Sequence, residues 1–221
     1  MSATWRRHFP ILRVLQLLGG LCGFGAGVAL LVRARLGLDP WDVLSQGIAR
    51  ELHVEMGWVV DAIGALVLMV WVPLRQRPGF GTLCNVVVIG LVANGVLSSL
   101  PPPHGLVLRV VALAGGIALI GVSSGLYIGA GFGPGPRDGL MTGIAARGHS
   151  IRVVRTVLEL TVLIVGWAIG GSVGVGTLLY AATIGPIVHT SLRRFHHGGG
   201  NIPAARPEAV GTQAADPSAG R

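Results

Sequence analysis

Long apolar runs, separated by short breaks rich in glycine, proline or charge, fill most of the chain. Six runs approach the roughly 20 residues that an α-helix needs to cross a hydrocarbon core. They extend over Ile11–Val32, Trp58–Leu74, Leu83–Leu100, Leu106–Gly129, Val153–Gly170 and Val173–Ser191. The second and third are short for the task, and either begin earlier or tilt little. Two shorter helices fall between runs, at Pro40–Leu52 and Pro136–Arg147. At about 12 residues each reaches only about 18 Å, too little to span. Asp39 followed by Pro40 is a helix start, because the carboxylate caps free amides and proline suits the first position. Asp42 and Asp138 lie in first turns, where the helix dipole favours negative charge. The second helix starts with Gly135 in place of the cap, and Gly148 is its expected stop. Trp41, Leu44, Ile48 and Leu52 form an apolar stripe at helical spacing.

The pattern occurs twice. Gly37-Leu38-Asp39-Pro40-Trp41-Asp42 returns 96 residues later as Gly133-Pro134-Gly135-Pro136-Arg137-Asp138. At this spacing Gly19, Gly20 and Gly25 match Gly115, Gly116 and Gly121, His53 matches His149, and Trp71 matches Trp167. After one residue of slippage, Gly79 and Gly81-Thr82-Leu83 match Gly174 and Gly176-Thr177-Leu178. Residues 11–100 therefore form a first membrane repeat and 106–195 a second, joined by the proline-rich segment 101–105. Three spans per repeat is odd, so the second repeat is expected upside down relative to the first, an arrangement common in secondary transporters. The predicted fold is an all-α membrane protein of about six transmembrane helices, built as two inverted three-helix repeats. Each repeat carries a short half-helix, for which two readings fit: a helix lying in the interface, or a re-entrant one whose N-terminus faces a central cavity.

Arginine positions orient the bundle, since cytoplasmic loops collect cations. With the N-terminal segment 1–10 inside, that side receives Arg6, Arg7, Arg13, Arg75, Arg77, Arg137, Arg147, Arg152, Arg193 and Arg194. Arg33, Arg35, Arg50 and Arg109 fall outside and dissent. Both termini are predicted cytoplasmic, with 196–221 a disordered tail rich in glycine, proline and alanine. In that tail His196-His197 reads as part of a flexible segment rather than a metal tract.

Composition supports the same class. Of 221 residues, 51% are hydrophobic and 12% charged, and the mean hydropathy is +0.68. Soluble domains carry about 25% charged residues. The 36 glycines suit closely packed membrane helices, and Gly19, Gly23 and Gly27 form a small-residue packing stripe. The net charge of +8 arises from arginines beside apolar runs, which serve anchoring and topology; no basic stripe with interleaved aromatics points to nucleic acid. Cys22 and Cys84 fall inside apolar runs and read as buried free thiols. No metal spacing, cofactor motif, nucleophile motif or cleavable signal is present, so no cofactor and no enzymatic activity are expected. The glycine segments before Thr82 and Thr177 lack the lysine of a phosphate loop and read as turns and packing sites.

Ionisable residues within spans mark function or pairing. Glu159 lies within the fifth run, with Arg155 one turn before it, placed to pair. Asp61 lies near the start of the second run, close to the interface. A site at the pseudo-two-fold axis would be formed by Asp39, Asp42, Arg137, Asp138, Arg155 and Glu159. The paired aspartates argue against a simple anion cradle and suit a cation or amine.

The Gly37–Asp42 stretch, Arg77-Pro78-Gly79-Phe80-Gly81-Thr82, the segment Gly131–Thr142, and Arg152-Val153-Val154-Arg155 leading to Glu159 resemble the YczE/YyaS/YitT-like bacterial membrane proteins, nearest the YczE branch. The resemblance runs from about Leu12 to Leu192. It implies a multi-pass protein of the bacterial inner membrane and carries no catalytic residues with it. The expected function is a small secondary transporter for an unknown small solute, surrounded by lipid and compatible with a homodimer. The alternative is a non-transporting scaffold or accessory protein for a partner enzyme.

Overall fold

The computed structural model describes residues 10–195, and these form helices joined by short turns. In chain order they are α1 (Pro10–Ala34), α2 (Pro40–Leu52), α3 (Met56–Leu74), α4 (Phe80–Ser99), α5 (Leu106–Gly129), α6 (Pro136–Ala145), α7 (Ile151–Ala168) and α8 (Val175–Phe195). Among the described residues, α1, α3, α4, α5 and α8 are long and apolar enough to cross a membrane. The sixth expected span, α7, has 18 residues but carries Arg152, Arg155 and Glu159, which set it apart from the other five. The N-terminal segment 1–9 and the tail 196–221 lie outside the described residues.

The short helices begin where the sequence places them. Asp39 Oδ1 accepts the Asp42 N–H at 2.9 Å, and Pro40 occupies the first turn. His53 ends α2 in a left-handed conformation, its N–H donating to carbonyls of the last turn. Gly135 precedes α6 without a side-chain cap. The apolar stripe foreseen on α2 does not decide its packing. Leu52 is 63% exposed, whereas Asp42, Ser45 and Gln46 are buried together with Trp41, Val43, Gly47 and Ala49. Burial therefore runs around much of the helix, because α2 is enclosed by other helices rather than laid on one face.

Helices α1 and α5 form the central pair. Gly20, Gly23 and Gly27 of α1 meet Tyr127, Ser123 and Ile120 of α5 so closely that a Cβ would collide. Gly19, foreseen in the same stripe, faces open space. Leu17, Leu21, Val28 and Leu31 of α1 and Ile120 of α5 are buried. Helix α4 packs on α1, and α8 packs on α5. Gly25 of α1 abuts Ile89 of α4, and its repeat partner Gly121 of α5 abuts Ile187 of α8.

The remaining contacts cross between the halves. Helix α2 packs on α7, and α6 packs on α3. The Gly81 N–H donates to Phe132 O at 2.9 Å and the Gly176 N–H to Leu36 O at 2.7 Å, the same bond made in both directions. Gly37 (φ 116°) and Gly133 (φ 117°) take matching left-handed conformations. A Cβ on either would strike the threonine that opens the other half's last helix. Arginines repeat the theme. Arg13 Nε donates to Ala130 O at 3.0 Å, and Arg109 Nε to Ala34 O at 2.7 Å. Each satisfies a carbonyl left free at a helix end. Arg109, one of the cations that dissent from the inside rule, thus has a structural use; Arg33 and Arg50 likewise donate to Leu97 O and Gly170 O.

The match of Trp71 with Trp167 does not hold in space. Trp71 is 2% exposed, seated on Gly139 of α6, and its Nε1 donates to Pro136 O at 3.0 Å. Trp167 is 65% exposed. Gly166 takes the corresponding place, against Val43 and Leu44 of α2. The helix starts give the cause: α3 begins 16 residues after the start of α2 and α7 begins 15 after the start of α6, so the register slips before α7 rather than after it. Cys22 is exposed and Cys84 half-buried, both free, so the thiols are not both buried as the apolar runs suggest.

Candidate functional site

The N-termini of α2 and α6 meet in the middle of the molecule, at the wall of a cavity of about 470 Å³. Asp39 and Trp41 of α2, Arg137 and Asp138 of α6, and Arg155 and Glu159 of α7 line it. Asp42 is fully buried behind that wall.

Arg137 ties the two short helices together. Its Nη1 lies 3.6 Å from Asp39 Oδ2 and its Nη2 lies 3.4 Å from Asp42 Oδ1. Its guanidinium also stacks on the Trp41 ring, 5.3 Å from the centroid. The side chain is 25% exposed, towards the cavity. Asp39 therefore has two tasks, since its other oxygen caps α2. This explains why polar residues at the start of α2 tolerate burial: their partner comes from the other half. Burial first, and the Asp39 carboxylate second, push the Asp42 carboxyl up to about 8, against the opposing pull of Arg137. Asp42 thus holds a proton near neutral pH, and Asp39 is the other carboxyl that faces Arg137. Burial likewise raises Asp138, whose Oδ2 accepts the Tyr127 hydroxyl at 3.3 Å. Arg155 Nε donates to Glu159 Oε1 at 2.9 Å, the pair expected from one-turn spacing.

All six residues singled out from the sequence thus lie around or directly behind one cavity. Asp61 is elsewhere employed: its Oδ1 accepts the Gly90 N–H at 2.9 Å and fastens α3 to α4. Sequence reasoning missed Tyr127 and Tyr180, which also line the cavity. They are the chain's 2 tyrosines, and a phenol inside an otherwise aliphatic span was the available signal. Two polar atoms of the wall have no hydrogen-bond partner, Trp41 Nε1 and Asp42 Oδ2. The arrangement offers fixed charges of both signs, a proton-holding carboxyl, and aromatic surface. It suits binding of a small polar or charged molecule.

The family of unknown function DUF6198 matches residues 11–193. A protein of Haemophilus influenzae named only as uncharacterised is 42% identical over 188 residues, 85% of each chain. The uncharacterised membrane protein YczE of Bacillus subtilis is 34% identical over 185 residues, 82% of this chain and 86% of its own. YyaS of the same organism is 24% identical over 177 residues, 77% of this chain and 87% of its own. No solved structure matches the chain. With a membrane protein among these relatives and five helices long enough to span, the chain is a multi-pass membrane protein, and it belongs to the DUF6198 family of YczE- and YyaS-like proteins.

Proposed function

We propose that the protein is a small secondary transporter of the bacterial inner membrane, with both termini cytoplasmic, that binds its solute in the central cavity. The observation that carries this reading is the convergence of two half-helix N-termini, one from each repeat, on a charged cavity of about 470 Å³. Discontinuous helices meeting at a repeat interface are a recurrent way to build such a site. The enclosure of α2 by other helices favours the re-entrant reading over an interfacial one. Counting α7 as a span, with Arg155 and Glu159 lining the cavity, gives three spans per repeat and hence inverted halves. The reciprocal bonds between Gly81 and Phe132 and between Gly176 and Leu36 fit a two-fold relation of the halves. Rocking of one half against the other about α1 and α5 would expose the cavity to each side in turn.

Purified protein in proteoliposomes tests this. Uptake of labelled small cations and amines is expected, and Arg137→Met and Glu159→Gln are expected to reduce it by about tenfold or more, as for loss of a charged site residue. Uptake unchanged in both variants removes the site. Capture of a partner protein with no flux of any solute would favour a scaffold instead.

A further inference from the structure

The two halves differ most at one helix–helix contact. Helix α3 lies against α4 through Gly57 and Gly90, each so near that a Cβ would strike the other's carbonyl oxygen. Asn94 Oδ1 accepts the Gly57 N–H at 2.7 Å, and Asp61 completes the seam. The counterpart helices α7 and α8 stand apart and make no comparable seam. Aligned from their first residues, Met56 and Ile151, α7 carries Arg152 and Glu159 where α3 carries Gly57 and Gly64. The facing glycine is kept, as Gly185, but a Cβ there would meet nothing within 4 Å. Close approach needs small residues on both helices, so the residues of α7 hold the seam open. The cavity continues into this slot, with Glu159 on one side and Ile184, Gly185 and Val188 on the other. Outside the slot both helices present exposed aliphatic side chains, Val157 and Leu160 on α7 and Leu178 and Leu179 on α8. The outer edge of the slot is therefore flanked by aliphatic side chains.

Charge at its inner end is unbalanced. Arg137 faces Asp39 and Asp42, and Arg155 faces Glu159. Asp138 has the Tyr127 hydroxyl and lies in the field of Arg155 and Arg137, but forms no ion pair among the described residues. An ammonium group in the cavity supplies the ion-pair partner that Asp138 lacks. We infer that the cavity takes an amphiphilic amine from the bilayer, its ammonium head at Asp138 and its aliphatic tail in the slot between α7 and α8. This names the substrate class for the transport reading, and rests on that reading only for the steps after binding.

The test is photolabelling of the full chain in lipid nanodiscs by dodecylamine carrying a diazirine at its chain end, with dodecyl sulfate carrying the same group as the anionic control. The amine probe should label α7 and α8 and the sulfate should not. Asp138→Asn should cut amine labelling about tenfold, the effect of losing one charge-assisted contact. Gly185→Phe, placed in open space, should do the same by filling the slot, with Val188→Trp one turn away as a second route; stabilisation by butylamine should survive both. Variants are compared only as monodisperse protein. Equal labelling by the sulfate probe, or unchanged amine labelling in Asp138→Asn and in the slot variants, overturns the inference. Labelling without flux of any amine sinks transport and leaves the site. Butylamine flux with no dodecylamine labelling does the reverse.

Discussion

Arg137 is the pivot between the halves, and its replacement by methionine tests that directly. The variant keeps most of the aliphatic stem but removes the charge facing Asp39 and Asp42. Breaking a buried pair by deleting one partner costs about 3–5 kcal/mol. Arg137 is 25% exposed to the cavity, which places the expectation at the low end, about 3 kcal/mol. For a chain of this size, 1 kcal/mol shifts the thermal midpoint by about 2–4 °C, so a loss of roughly 6–12 °C is expected. The assay is the monodisperse fraction remaining after heating in detergent. The cause is the buried Asp39 carboxylate left without its partner, so Arg137→Met with Asp39→Asn, which can still cap α2, should recover most of the loss. An Arg137→Met midpoint within 2 °C of the parent, or a double variant no better than the single one, would refute the reasoning.

Other expectations arise from the same contacts. Asp42 in the folded protein titrates near 8, above the ordinary carboxylate value of 3.8, so the folded state holds a proton that the unfolded state releases between them. Stability is then greatest below about pH 4 for this group and falls as pH rises through 8; Asp42→Asn should flatten that part of the midpoint-against-pH curve. Gly139→Val drives a side chain into the Trp71 indole and should lower the midpoint by the cost of overpacking, about 1–3 kcal/mol, while Gly19→Val, facing open space, should leave it unchanged. Arg13→Gln and Arg109→Gln each lose charge-assisted bonds to a helix-end carbonyl. Similar midpoint losses, equivalent to about 1.5–3 kcal/mol each, are expected, and one silent variant would count against their equivalence.

Local chemistry made much of this architecture readable. Asp39-Pro40 announced α2, and the recurrence of its motif announced α6, because capping and proline geometry act within one turn. Arg155 and Glu159 were legible because charge in an apolar span needs a partner, and Asp39, Asp42, Arg137 and Asp138 because they sit in the repeated helix-start motif. What the sequence concealed depends on the other half. Gln46 is buried since its Oε1 accepts the Ser172 N–H at 2.7 Å, across 126 residues, and nothing near Gln46 signals that. Trp167 matches Trp71 in letters, yet the one-residue slip before α7 turns it outward. The slot between α7 and α8 was invisible until the Gly57–Gly90 seam showed what Arg152 and Glu159 prevent.

The central claim is that the two halves are inverted, with α2 and α6 entering from opposite faces. Single cysteines at Leu52 and Ala146, the exposed C-terminal ends of the two short helices, test it in a background with Cys22 and Cys84 replaced by serine. A membrane-impermeant maleimide applied to intact cells and to inverted vesicles should label Leu52→Cys from outside and Ala146→Cys from the cytoplasmic side. Labelling of both from the same side would contradict the account.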